Sequence, residues 1–115
     1  MTTIDQIRPA QLAAWFQAQG ATGEPVVLDV REDWELQAAS VRADGFKLVK
    51  IPMGDVPGHL GEFDPQQPLA ILCHHGNRSQ RVALFLAAQG FAKLANVAGG
   101  IEAWSGEVDD SVPRY

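Results

Sequence analysis

Short apolar runs alternate with amphipathic stretches along this chain, and the alternation predicts most of its elements. Leu12, Trp15 and Phe16 stand at helical spacing between Pro9 and Gln19, with Pro9 suited to a first helical turn and Gly20 to a stop. A turn-like Thr22-Gly23-Glu24-Pro25 leads into Val26-Val27-Leu28-Asp29-Val30, a β-branched run that reads as a buried strand with Asp29 near its carboxyl end. Residues 31–39 are helix-compatible and 40–45 form a loop. Residues 47–51 form a second strand halted by Pro52, and a short helical turn follows around 56–60. After Asp64-Pro65-Gln66-Gln67-Pro68 comes a third apolar strand, Leu69-Ala70-Ile71-Leu72-Cys73. Residues 74–78 are then a loop, and Ser79 opens a helix that carries Val82, Ala83, Phe85 and Leu86 on one face and stops at Gly90. Residues 93–97 form a fourth strand, 98–100 a tight turn, 101–104 the start of a last helix, and 108–115 a surface tail.

Strands that alternate with helices predict an α/β domain with a mostly parallel central sheet and helices on both faces. Ligands of such sheets bind at the carboxyl ends of the strands, which is where the Asp29 and Cys73 loops converge. No internal repeat or linker divides the 115 residues, so the expectation is one domain over 1–115 with its core at about 4–107. Composition adds exclusions. Hydrophobic residues are 46% and charged residues 20% of the chain, too apolar for a disordered segment. A net charge of -5 with no basic run leaves no footprint for nucleic acid. No stretch approaches the ~18 apolar residues of a membrane span. The opening Met1-Thr2-Thr3-Ile4-Asp5 lacks the basic and apolar regions of a secretory signal, so the expected location is the cytoplasm. Cys73 is the single cysteine and can form neither an internal disulfide nor a multi-cysteine zinc site.

The place of that cysteine changes the picture. A loop that curls from a strand into a helix can aim successive backbone N–H groups inward, and the helix N-terminus adds positive potential. A cysteine at the mouth of such an anion cradle has its nucleophilic thiolate favoured, with Arg78 and the first helical turn as the groups that favour it. The competing reading, a small apolar residue that finishes a buried strand, is weakened by Gly76, which permits a turn, and by Arg78 at the helix start.

Three motifs then converge on one family. Cys73-His74-His75-Gly76-Asn77-Arg78-Ser79 with the helix after it, the downstream Asn96-Val97-Ala98-Gly99-Gly100-Ile101-Glu102-Ala103-Trp104, and the upstream Leu28-Asp29-Val30-Arg31-Glu32 together resemble the single-domain rhodanese family of sulfurtransferases. The resemblance runs from about Ile4 to Trp104. It implies a five-stranded sheet and a cysteine that cycles through a persulfide. It makes Cys73 the sulfur-accepting nucleophile and the backbone from His74, His75, Gly76, Asn77 and Arg78 to Ser79 the cradle that binds substrate. Arg78 would bind anionic donors or hold the loop's shape, Asp29 and Arg31 would support the active edge, and Gly99, Gly100 and Trp104 would pack the last helix beside the loop. The implied reaction is a ping-pong transfer of sulfane sulfur from thiosulfate or a persulfide donor to cyanide or a thiol, including a protein thiol, without metal or organic cofactor.

Alternatives are set by neighbouring residues. A phosphatase of the tyrosine-phosphatase kind, or an arsenate reductase, is one alternative: tyrosine phosphatases also combine a cysteine, amides and an arginine, but with five residues between the two, whereas four separate Cys73 from Arg78. A non-catalytic rhodanese-like binding or sulfur-carrier module is the other alternative, and the presence of Cys73 speaks against it. His74 and His75 are rim residues or tune charge at the pocket; a metal site is not expected, because adjacent loop residues rarely point at one ion and no further ligand completes a shell. Trp34 either lines the pocket mouth opposite Cys73 or lies in the core. Glu32, Asp33 and Glu35 are expected to solvate a first helical turn, and His59 to be a solvated loop residue. Arg81 adds positive potential near the loop or faces solvent. The 38–53 stretch is longer than the family's Gly-His-Ile pattern there, and the loop lacks the basic and threonine residues of the tandem-domain thiosulfate enzymes, which makes thiosulfate a candidate surrogate donor.

Overall fold

The computed structural model describes residues 4–20 and 24–115; the expected turn at Thr22 and Gly23 lies outside them. Five strands, β1 (Ile4–Ile7), β2 (Val26–Asp29), β3 (Lys47–Lys50), β4 (Leu69–Leu72) and β5 (Leu94–Val97), form one sheet in the order β1-β5-β4-β2-β3. All neighbouring pairs are parallel. The three inner strands are buried at every position, which is why they read as continuous apolar runs rather than as alternating ones.

Alternate side chains of these strands feed two separate cores. Val27, Ala70, Leu72 and Ala95 pack with Leu12, Trp15 and Phe16 of α1 (Leu12–Ala18) and with Ile101 and Trp104 of α4 (Gly100–Glu107). Val26, Leu28, Leu69 and Ile71 pack with Val82, Ala83 and Leu86 of α3 (Asn77–Ala88) and with Val56 and Phe63. Between β3 and β4 the chain runs as a 3-10 segment, Met53–Glu62, because Pro57 and its neighbouring glycines are poor α-helix formers. Trp15, Phe16 and the helical face of α3 therefore lie in the core as their spacing predicts. Phe85 is half-buried against the second core.

Three elements differ from the pattern-based expectations. β1 was not legible, because Asp5 and Gln6 are polar and exposed; it is an edge strand held by backbone pairing with β5, and it supplies the fifth strand that the family resemblance implies. α3 begins at Asn77 rather than Ser79, since Gly76, at φ +108°, turns the chain directly into the helix. The 108–115 segment is not a free tail. Val112 is 3% exposed in the first core, and Ser105 Oγ donates to its carbonyl at 2.7 Å. The longer 39–46 stretch lies on the same side: Ala39 and Val41 are buried, and Phe46 meets Trp104 edge-on with ring centroids 6.0 Å apart.

α2 (Asp33–Ala38) and α3 both start at the carboxyl edge of the sheet, directly after β2 and β4, so the Asp29 and Cys73 loops do meet there. α4 presses on that edge from the side. Ile101 N–H donates to the Cys73 carbonyl at 2.9 Å, and Glu102 N–H to the His74 carbonyl at 3.2 Å. The approach requires Gly100, which sits at φ +59° and has no room for a Cβ against those same two carbonyl oxygens. Gly100→Ala should therefore cost about 3 kcal/mol, combining left-handed strain with overpacking, as read from urea unfolding midpoints. A variant as stable as the wild type would mean that the loop and α4 separate easily.

Candidate active site

Cys73 follows β4 and is 1% exposed. Gly76 N–H donates to its Sγ at 3.1 Å, and Ser79 Oγ lies 3.2 Å from the same sulfur. Ser79 is itself fully buried and donates its hydroxyl proton to Asn96 Oδ1. Asn96 is oriented by its amide, which donates to the Gly76 carbonyl at 3.1 Å and to Gln6 Oε1 at 2.9 Å. With the Ser79 proton directed at Asn96, a Cys73 thiol can donate to Ser79 Oγ. A thiolate can instead accept from Gly76 N–H, and from Ser79 if its hydroxyl rotates. Of the loop residues expected to surround the sulfur, Gly76 reaches it through the backbone and Ser79 through its side chain. Asn77 and His75 are exposed.

Arg78 holds the loop's shape. Its guanidinium forks onto Glu35 of α2, with N–O distances of 2.6 and 2.7 Å. The arrangement is bidentate and largely shielded, with Glu35 3% exposed. Arg78 draws the Glu35 carboxyl down from the ordinary 4.5 to about 2 against the opposing cost of burial, and the carboxylate raises the Arg78 guanidinium in return. This corrects the reading of Glu35 as part of a solvated acidic turn. Glu32 and Asp33 are exposed as expected, but Glu35 points inward from the same turn.

Asp29 and Arg31 form a second pair, fully buried, in which Arg31 donates to both carboxylate oxygens at 2.8 to 3.1 Å and to the carbonyls of Glu35 and Ala39. Such a pair is costly to break because the survivor is left charged and dry. It ties the end of β2 to the first turn of α2 at Glu35 and to the residue that ends it, Ala39.

His74 lies in a stack of rings. His75 covers one face with centroids 3.9 Å apart, and Tyr115 covers the other at 4.0 Å and 9° between planes. Burial, then the neighbouring His75, lowers the His74 imidazole below its ordinary value, which favours the neutral ring. Trp34 is 66% exposed, which excludes the core reading, and meets Tyr115 edge-on at 5.9 Å on the rim. His59 pairs with Glu62 away from this edge, and Arg81 is exposed.

The fold does bring a third possible metal ligand to the two histidines. Ligand atoms of His74, His75 and Glu102 lie within 4.8 Å of one another. An imidazole lone pair lies in its ring plane, however, and two rings stacked 22° from parallel cannot aim both lone pairs at one ion. The trio does not fit a metal as arranged. A cavity of about 620 Å³ is lined by Pro9, Leu12, Phe16, Pro25, Phe46 and Pro68 among others. Its position just before β2, β3 and β4 puts it at the amino ends of the strands, away from Cys73. No helix among the described residues is long and apolar enough to cross a membrane.

From the sequence, Asn96 and Tyr115 take no site role, and Glu35 takes only a place in a solvated acidic turn. Asn96 carried a usable signal, a polar residue inside an apolar strand; Glu35 and Tyr115 carried none, because their partners are distant in the chain.

A buried cysteine between a parallel strand and a helix, with an amide aimed at its sulfur, belongs by similarity to known proteins to one class. The Rhodanese-like domain model matches residues 12–107, and the chain belongs to that family. The thiosulfate sulfurtransferase GlpE of Pseudomonas savastanoi pv. phaseolicola is 34% identical over 110 residues, covering 96% of this chain and 95% of that protein. The rhodanese-like/PpiC domain-containing protein 12, chloroplastic, of Arabidopsis thaliana is 33% identical over 97% of this chain, which spans only 38% of that longer protein. Among solved structures, a rhodanese-like domain protein from Staphylococcus aureus superposes with a TM-score of 0.72 at 27% identity, covering 97% of this chain and 99% of that one.

The Glu35 carboxyl predicts a pH dependence. Its folded value lies below its unfolded one, so its stabilisation is complete above about pH 4.5 and is lost as the pH falls toward 2. Glu35→Gln should be less stable than wild type near pH 6.5 by up to about 3 kcal/mol, at ~1.4 kcal/mol per pH unit. The gap should narrow on acidification to pH 3. Urea unfolding at the two pH values checks this, and a gap independent of pH would assign the effect to packing alone.

Proposed function

We propose that this chain is a sulfurtransferase in which Cys73 carries sulfane sulfur as a persulfide. The observation that carries the reading is the Gly76 N–H directed at Cys73 Sγ at 3.1 Å, inside a loop that excludes water from a sulfur only 1% exposed. A preorganised donor at that point stabilises negative charge on sulfur without reorganisation during reaction. Family membership and the GlpE relative support sulfur transfer as the chemistry.

In the first half-reaction the Cys73 thiolate attacks the sulfane sulfur of thiosulfate or of a persulfide donor. A new S–S bond forms, the donor's S–S bond breaks, and its electron pair leaves on sulfite or on a thiolate. The enzyme is then Cys73–S–S⁻, with the added charge facing the loop amides. In the second half-reaction the carbon of cyanide, or an acceptor thiolate, attacks the terminal sulfur, and the bonding pair returns to Cys73 as thiolate. His74, His75, Gly76, Asn77, Arg78 and Ser79 form the substrate-binding rim in this reading. Asp29, Arg31 and Trp34 act as supports, and no metal or organic cofactor takes part.

The Arg78 fork onto Glu35 counts against a phosphatase, since a guanidinium already satisfied by a carboxylate is not free to clamp a phosphate. The same commitment leaves thiosulfate without a free arginine in the loop, which favours an uncharged-ended or persulfide donor as the natural one.

Intact mass spectrometry tests the reading. After thiosulfate or a low-molecular-weight persulfide the protein should gain one sulfur, about 32 Da, and cyanide should remove it. Cys73→Ser should remain folded and gain nothing. Retained turnover in that variant would overturn the assignment of the nucleophile, and no adduct with either donor in the wild type would point to a binding module.

A further inference from the structure

The 108–115 segment reaches the Cys73 loop with a single side chain. Tyr115 Oη accepts a hydrogen bond from Arg31 Nη1 at 3.1 Å and donates one to Glu35 Oε2 at 2.7 Å. The hydroxyl therefore joins the Asp29–Arg31 pair to the Glu35–Arg78 pair. On its other side the Tyr115 ring lies flat on His74, 4.0 Å away, with Trp34 against it edge-on. The ring does not arrive there on a loose end. Val112 is buried in the core, Ser105 bonds to the Val112 carbonyl, and Arg114 lies 3.5 Å from Glu102 of α4.

These contacts converge on the two sides of the Gly76 turn, at His74 before it and at Arg78 in the first turn of α3 after it. His74 is the residue immediately after Cys73, and Arg78 is the last residue before Ser79; Gly76, whose amide faces the sulfur, lies midway between them. We propose that Tyr115 is a positioning residue of the sulfur-transfer site, its ring fixing His74 before the Gly76 turn and its hydroxyl fixing Arg78 after it through Glu35. The inference rests on the sulfurtransferase reading for its kinetic consequence, but the clamp itself is a structural property that can be measured without turnover. Burial pushes the Tyr115 phenol up to about 12, so the hydroxyl remains a donor at neutral pH. Tyr115 is half-exposed and touches neither Cys73 nor, on this account, the donor; it acts through the residues it holds.

Two variants separate ring from hydroxyl. Tyr115→Phe keeps the stack and removes the link. It should lower the rate of persulfide formation at saturating thiosulfate by about tenfold, less than the ~100-fold that a 1 Å misplacement can cost, with KM changed less than twofold. Tyr115→Ala removes both and should lower that rate further. The His74 ring gives a readout that mere docking of the segment would not move. The chain has three histidines, which makes its imidazole signal assignable by NMR. The charged or titratable groups that act on the His74 ring are His75 beside it, Glu35 from α2, Glu102 from α4 and Arg78 from α3, with the Tyr115 phenol stacked on its face. Uncovering one face of the ring in Tyr115→Ala should raise the pH at which it titrates, whereas Tyr115→Phe should leave it unchanged.

Wild-type rates in Tyr115→Phe overturn the proposal, whatever the alanine variant does. A His74 titration unmoved in Tyr115→Ala overturns it as well, as does a fall in unfolding midpoint with no change in rate. Should the alanine variant not fold, the phenylalanine variant carries the test. If the wild type takes up no sulfur at all, the functional reading fails separately. Amide hydrogen exchange at Gly76, faster in Tyr115→Phe if the clamp exists and unchanged if it does not, then decides the positioning role.

Discussion

A loop that turns the Gly76 amide toward a buried sulfur leaves buried carbonyls along its path, and each of those carbonyls needs a donor from elsewhere in the fold. In this protein the donors are specific. The carbonyls of Cys73 and His74 are taken by the first amides of α4, and that of Gly76 by the side-chain amide of Asn96. The sheet order puts β5, which carries Asn96 and leads into α4, next to β4, which leads into Cys73. Gly100 lets α4 come close enough to donate. The same constraint explains why the glycine pair at the start of α4, the buried asparagine in β5 and the cysteine loop belong to one unit, although more than twenty residues separate Cys73 from the other two.

Electrostatics secure the loop from the opposite side. Arg78 has two roles open to it, to face the pocket as a free cation or to be held by a carboxylate, and Glu35 decides for the second. The group that donates directly to the sulfur is then the Gly76 amide rather than the Arg78 guanidinium. Asp29 and Arg31 are buried completely behind this pair, and Tyr115 stands between the two. A network of this kind is stabilising only while every member is satisfied. Its members come from β2 and the loop after it, α2, α3 and the segment after α4, so the site is assembled only when the whole domain has folded.

Local signals in the chain were enough for the inner strands, for α1 and for the strand-loop-helix around Cys73, because continuous apolar runs and helical spacing report burial directly. They were not enough for β1, which is held by backbone pairing that polar Asp5 and Gln6 conceal, nor for residues 108–115, where Val112 is the single buried anchor among polar neighbours. Glu35 shows the limit most plainly. It stands in an acidic turn beside Glu32 and Asp33, and nothing nearby in sequence distinguishes the one that faces inward.

What the sequence determined by itself was therefore the α/β class, the position of Cys73 between strand and helix, and the family to which the motifs belong, since each is encoded in residues close together in the chain. What the tertiary structure alone decided was how the loop is held: Arg78 on Glu35, Ser79 on Asn96, His74 between His75 and Tyr115, and two histidines stacked so that a metal does not fit. Those outcomes depend on side chains far apart in sequence meeting at one sheet edge at hydrogen-bond and stacking distances, and a linear pattern carries no record of which distant partner a polar side chain will find.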